Sequence, residues 1–184
     1  MHAYLNYERF FKGDKSALEK IVIEYSERLF LFIKSYVRDE YVATDLVEDV
    51  FLALIVKKRK LKNENAFKSY VYSIAKNKSL SYIKKHKQRT VLLESLSEIS
   101  VTSFVDELEK KELKSIINSA IERLNDDYKA VIYLQYYEDM SQKEIAKVLG
   151  KSVKQIENLS FRAKQKLRTV LKELGYEKID LWYI

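Results

Sequence analysis

Residues Ser141–Lys172 read SQKEIAKVLGKSVKQIENLSFRAKQKLRTVLK and decide how this chain folds. SQKE at Ser141–Glu144 and SVKQ at Ser152–Gln155 are capping boxes, in which a serine hydroxyl and a following Glu or Gln satisfy the free N–H groups of a helix start. Gly150 lies between them, where a tight helix–helix turn needs a left-handed residue. Small Ala146 lets the second helix cross close to the first, and Ile145 and Leu149 are spaced to pack on Ile156 and Leu159. The spacing is that of a helix-turn-helix, which points to nucleic-acid binding.

A helical projection divides the second of these helices in two. Ile156, Leu159, Ala163, Leu167 and Val170 share the core side, and Lys154, Asn158, Phe161, Arg162, Gln165 and Arg168 fall opposite. A phenylalanine among cations and amides is odd on a solvated face. It suits base edges, where Asn and Arg read donors and acceptors and Phe touches a thymine methyl. From Lys143 to Lys172 there are nine Lys/Arg against Glu144 and Glu157, a stripe suited to neutralising phosphates. A simple helical hairpin with a solvated charged face is the bland alternative.

The rest of the chain is equally poor in helix breakers. Its 184 residues contain no proline and three glycines, Gly13, Gly150 and Gly175, so the fold should be all-α. Clustered glycines are absent, which excludes G-x-G-x-x-G and P-loop nucleotide sites. The absence of cysteine excludes disulfides, thiolate catalysis and zinc fingers. His2 and His86 have no partner at metal-ligand spacing, and no residue set calls for a cofactor or metal. MHAYLNYERFF lacks the pattern of a secretory signal, and the longest apolar run, Val50 to Val56, is far short of the ~20 residues that span a bilayer. No membrane insertion is expected, and the cytoplasm is the expected location.

Apolar spacing predicts three helices in the first half. One is capped by Asp14 and buries Leu18, Ile21, Val22, Tyr25, Leu29, Phe32, Ile33 and Tyr36. A second follows Asp39, with Val47, Val50, Phe51 and Leu54 inward. A third runs from near Asn65 towards Arg89 with Phe67, Tyr70, Val71 and Ile74 in phase, then slips to Leu80 and Ile83, which predicts a kink or short loop beyond Asn77. Thr90 to Glu107 contains no basic residue and loses the charge periodicity, so it reads as a linker able to reach roughly 60 Å when stretched. It retains Leu92, Leu93, Leu96, Ile99, Val101 and Phe104, which suit docking on another surface. Beyond it, a stripe from Leu113 to Leu124 ends at Asn125, and a further helix covers Tyr128 to Tyr137.

Two more faces carry chemistry. Lys57 to Arg89 holds twelve basic residues and one acid, Glu64, with Phe67, Tyr70, Tyr72 and Tyr82 threaded through. Cations interleaved with aromatics are what unstacked bases of single-stranded nucleic acid require, although Phe67 and Tyr70 also fit a core stripe. Asp39 to Asp49 holds five acids and no base. Asp45, Glu48, Asp49 and Leu52 share one helix side, a pattern suited to docking a basic protein surface. Acid–base or metal chemistry at that cluster lacks a nucleophile and a third ligand.

The order of these pieces resembles a bacterial RNA polymerase sigma factor of the small, two-domain extracytoplasmic-function group. The resemblance rests on DLVEDVFLAL, AFKSYVYSIAKN and the helix-turn-helix, over about residues 15 to 172. It implies a domain two over residues 1–89, a linker over 90–107 and a domain four over 108–184. It further implies that Asp45, Glu48, Asp49 and Leu52 dock the clamp helices of core polymerase. Phe67, Tyr70, Tyr72, Asn77, Lys78, Lys84 and Lys85 would melt and hold the minus-ten element, with Asn77 in the base-capturing loop. Lys154, Asn158, Phe161, Arg162, Gln165 and Arg168 would read the minus-thirty-five element as duplex. The implied partners are core RNA polymerase and promoter DNA, with an anti-sigma factor left open. Glu157, where relatives often carry a basic residue, Tyr70, where many have Trp, and the LWYI tail depart from the pattern. A free-standing helix-turn-helix regulator is the alternative of the same chemistry, and a nucleic-acid-processing enzyme using the Asp45/Glu48/Asp49 cluster is a third.

Overall fold

The computed structural model describes residues 3–86 and 116–176, all of whose regular elements are helical. They are α1 (Ala3–Phe11), α2 (Ser16–Val37), α3 (Glu40–Lys57), α4 (Glu64–His86), α5 (residues 116–122), α6 (Asp126–Ile132, continued by a π turn over Tyr133–Tyr137), α7 (Gln142–Leu149) and α8 (Val153–Glu173). The linker and the LWYI tail lie outside the described residues.

Helices α1 to α4 pack on one another as a first unit, and α6 to α8 form a second. In the first, Ile21, Tyr25, Leu29, Phe32 and Ile33 of α2 meet Val50 and Leu54 of α3 and Phe67, Val71 and Tyr72 of α4, all within one buried cluster. The expected inner faces of α2 and α3 are therefore the observed ones. Asp39 caps α3 by accepting from Val42 N at 3.1 Å. Asp14 acts one residue earlier than a cap. The helix begins at Ser16, whose N–H and hydroxyl donate to Asp14 Oδ1, while Arg9 pairs with Oδ2 at 2.7 Å and ties α1 to α2. Ser16 and Arg9 together hold the Asp14 carboxyl below its usual range.

Two further features of the first unit differ from expectation. Helix α1 has no counterpart in the sequence reading, although Ala3, Tyr7 and Phe10 supply a buried i, i+4, i+7 stripe. The Tyr7 hydroxyl bonds the backbone carbonyl and N–H of Arg59, both at 2.9 Å, and so fixes the loop that leads to α4. The kink expected beyond Asn77 does not form, because α4 is continuous to His86. Its inward stripe proceeds through Phe67, Val71, Ala75 and Ser79 in steps of four. The slip lies in the size and polarity of the inward residues and not in their phase. The Ser79 hydroxyl is satisfied by donating to Ala75 O at 2.9 Å.

In the second unit Asn125 caps α6 by accepting from Tyr128 N. The helix expected over Tyr128 to Tyr137 widens into the π turn at Tyr133, and Glu138, the residue after it, is buried to 1% exposure. Both capping boxes form, and Gly150 takes φ 66° in the turn between α7 and α8.

Candidate nucleic-acid and docking faces

The second capping box starts α8 at a defined residue: Ser152 N donates to Gln155 Oε1 at 2.7 Å, and Gln155 N donates to Ser152 Oγ at 3.2 Å. Ile156, Ala163, Leu167 and Val170 are buried, Leu159 is half-buried, and Ser160 and Leu171 extend the inner face. Ser160 is inside because its hydroxyl reaches Gln135 Oε1 at 2.9 Å. Lys154, Asn158, Phe161, Arg162, Gln165 and Arg168 are all exposed, Phe161 to 64%. Beside them lies a cleft of about 260 Å³ lined by Tyr128, Lys151, Gln155, Asn158, Leu159 and Arg162. Tyr128 and Lys151 reach this face from α6 and from the turn, places that the periodicity of α8 does not reveal.

Helix α4 holds its candidate residues in several environments. Phe67 is fully buried between Tyr7 and Tyr25, with ring centroids 5.1 and 5.5 Å away. Tyr72 is fully buried among Tyr25, Phe32 and Tyr133. Neither ring can stack on a base in this arrangement. Tyr70 is half-buried beneath the Arg59 guanidinium, 5.7 Å from its centroid. Asn77, Lys84 and Lys85 face solvent. Lys78 pairs with Asp49 of α3 at 2.8 Å, so two residues expected at different sites neutralise one another.

On α3, Asp45, Glu48 and Leu52 are exposed and Asp49 is half-buried. Tyr41, at 88% exposure, Leu52, at 56%, and Val56, at 72%, flank the acids along one stripe of the helix. A groove of about 400 Å³ runs beside it between α2 and α3, lined by Val22, Phe30, Val47 and Phe51, with Glu27 and Glu48 among its polar residues. Among the described residues no group of three or more His, Cys, Asp or Glu side chains could hold a metal ion.

Comparison with known proteins bears on these faces together. The family model for sigma-70 region 2 matches residues 21–89, and that for sigma-70 region 4 matches residues 114–167. The chain belongs to the sigma-70 family. Its relatives include the ECF RNA polymerase sigma factor SigM of Bacillus subtilis (strain 168), 23% identical over 83% of this chain and 94% of that one. The ECF RNA polymerase sigma factor SigW of the same organism is 26% identical over 89% and 93%. The fold is shared with the sigma factor RpoE from Bartonella quintana, solved in complex with the anti-sigma factor NepR, at 20% identity, a TM-score of 0.66 and 84% and 96% coverage. The chain is thus a sigma factor of the extracytoplasmic-function group.

The region 2 match begins in α2 and runs past the end of α4, and the region 4 match covers α5, α6, α7 and most of α8. The sigma-factor halves meet along a seam that sequence reasoning misses, in which α4 packs on α7 and α2 on α6. Lys76 Nζ donates to Val148 O and Leu149 O at 3.1 and 2.8 Å, and Lys68 Nζ donates to Glu138 O at 3.0 Å. Arg28 lies 3.5 Å from Glu138 Oε2, and the Tyr133 hydroxyl donates to Arg28 O at 2.8 Å. Burial pushes the Glu138 carboxyl above its usual range, with Tyr72, Arg28 and Lys68 acting the other way. Burial and nearby Lys151 lower the Lys76 ammonium. No local spacing marks Glu138 or Lys76, because their partners are distant in the chain.

Proposed function

We infer that this chain is a dissociable sigma subunit that binds core RNA polymerase and directs promoter-specific initiation, with no catalysis of its own. One observation carries the reading. An exposed Asn–Phe–Arg face on a capped recognition helix belongs to a chain matched, in order, by sigma-70 regions 2 and 4. In this reading the α3 stripe docks the polymerase clamp helices, α4 takes the melted minus-ten strand, and α8 reads the minus-thirty-five duplex. An anti-sigma factor is a further partner that these faces accommodate. Among the described residues no helix is long and apolar enough to cross a membrane, and we place the protein in the cytoplasm with the polymerase. Run-off transcription with purified core polymerase on promoter libraries tests the whole. A recovered two-part promoter supports it, and transcripts that do not depend on the added chain overturn it.

Two expectations concern α8. Asn158→Ala and Arg162→Ala should each change the base preference of the upstream element, at about 1–3 kcal/mol per lost base contact. An equal loss on every upstream sequence would place both residues against the sugar–phosphate backbone. Glu157 is exposed at the fifth position of α8, in the part of a recognition helix that enters the major groove, and has no ion-pair partner among the described residues. Replacing its charge by Glu157→Lys should tighten duplex binding and steepen the salt dependence by about one unit of log K against log salt. Anisotropy titrations of the full chain at several salt concentrations measure this, and an unchanged slope would place Glu157 away from phosphate.

A further inference from the structure

Between α3 and α4 the chain reads KKRKLK over Lys57–Lys62, and its five basic residues are all exposed. The segment is not a loose tether. Helix α1 runs beside it in the opposite direction. The Tyr4 hydroxyl lies 3.3 Å from Leu61 O, and the Tyr7 hydroxyl bonds the N–H and the carbonyl of Arg59, both at 2.9 Å. The Lys58 ammonium sits over the Phe10 ring, 5.1 Å from its centroid. Glu64, the first acid after the loop, is engaged by the Tyr4 N–H at 3.0 Å.

Cations elsewhere in the molecule find acids: Arg9 pairs with Asp14, Lys34 with Glu40, Lys78 with Asp49 and Lys151 with Asp127. Lys57, Lys58, Arg59, Lys60 and Lys62 make no ion pair among the described residues. The negative end of the α3 dipole favours Lys57 and Lys58, but that effect fades within a turn and does not account for Arg59, Lys60 and Lys62. Five like charges held together repel one another. A loose loop would relax that repulsion by spreading, whereas this one is pinned by α1. A polyanion relieves it and releases counterions as it binds.

The surroundings of the loop favour a single strand as that polyanion. The loop leads directly into α4, and the Arg59 guanidinium lies over Tyr70, 5.7 Å from its centroid. A planar cation beside a ring suits an unstacked base, and the flanking lysines suit its phosphates. An acidic protein surface would gain nothing from that pairing. We propose that the Lys57–Lys62 loop, splinted by α1, is a sequence-independent phosphate grip for single-stranded DNA beside the first turns of α4. The proposal rests on the reading of α4 as the strand-binding element, and it adds a contact outside the residues assigned to either promoter element. Tyr7 is its positioning residue, because its hydroxyl fixes the Arg59 backbone. Helix α1 precedes residues 21–89, so the region 2 match does not itself supply the splint.

Anisotropy of a labelled oligothymidylate of about twelve nucleotides, titrated with the full chain at several salt concentrations, tests the grip. The triple change Lys57→Gln, Lys60→Gln, Lys62→Gln removes three exposed ammonium groups. It should weaken binding about tenfold or more at low salt and reduce the slope of log K against log salt by about two, at ~0.7 per phosphate. A control triple, Lys15→Gln, Lys20→Gln, Arg123→Gln, removes the same charge from exposed positions outside the loop and should leave the slope unchanged. Equal slopes for the two triple variants would reduce the effect to net charge and overturn the proposal. Tyr7→Phe keeps the ring and every cation, and should lower affinity about threefold with the fold unchanged by circular dichroism. Parental affinity in that variant overturns the splint. Should Tyr7→Phe fail to fold, Tyr4→Phe, at a half-buried position, takes its place. Two further ligands separate the sources of negative charge. If the loop variant loses as much affinity for an oligothymidylate–oligoadenylate duplex, or for polyglutamate, as for the single strand, the single-strand assignment is wrong. Run-off transcription with core polymerase serves as a separate arm. If the parent chain initiates at no promoter, the sigma reading itself fails, while the oligonucleotide slopes still decide the loop.

Discussion

Phe32→Ala should lower the stability of the chain by about 3–5 kcal/mol, the usual cost of deleting a buried phenylalanine ring. The side chain is fully buried at the centre of the first unit. Its centroid lies 5.3 Å from Tyr36 and 5.1 Å from Tyr72, both edge-to-face, and 5.7 Å from Tyr133 across the seam. Truncation opens a cavity that three rings cannot close without leaving their own packing, and it removes edge-to-face contacts worth ~0.5–1.5 kcal/mol each. In a chain of this size the thermal midpoint should fall by about 10 °C. Melting followed by circular dichroism checks this, and a drop of one or two degrees would show that the ring does not hold the unit together. The same variant should loosen the seam, because the Phe32 ring also packs against Tyr133 of the second unit.

Leu52→Arg should produce the largest loss of core-polymerase affinity, about 2 kcal/mol or more and so roughly thirtyfold, with the fold unchanged. Leu52 is more than half exposed at the middle of the Tyr41–Asp45–Glu48–Leu52–Val56 stripe, while the opposite side of α3 carries Leu46, Val50 and Leu54 into the core. An arginine there leaves the core untouched and sets a cation against the basic surface that the acids are suited to meet. Asp45→Ala should weaken the same interaction less, and more visibly at low salt, where attraction between exposed charges is least screened. Asp49→Ala should matter less than Asp45→Ala, because its carboxylate already pairs with Lys78. A quantitative pull-down against core polymerase, with circular dichroism as the fold control, separates these outcomes. A Leu52→Arg chain that folds and binds core like the parent would remove the docking role from this stripe.

The parts of the molecule that are legible in its sequence have local causes. The capping serines, Gly150 and the alternation of Ile156, Ala163 and Leu167 with Asn158, Phe161 and Arg162 act within one or two helical turns. The second unit's recognition face can therefore be read residue by residue. The same holds for α2 and α3, whose apolar stripes are long and unambiguous. Helix α4 is harder, because its inward positions pass from aromatic to small and polar at Ala75 and Ser79, and the pattern then resembles a break where the helix continues. Helix α1 is short, and its burial depends on Arg59 and Glu64 from elsewhere in the chain.

The sequence alone determined that the chain is helical, where the helix-turn-helix lies, and which residues of α8 and α3 face outward, since composition, caps and periodicity are properties of neighbouring residues. Only the tertiary structure decided which cations and rings of α4 are free. Lys78 is paired across 29 residues, Lys76 is bonded across 72, and Arg28 meets Glu138 across 110. Such pairings depend on how two units pack, and no local spacing encodes that.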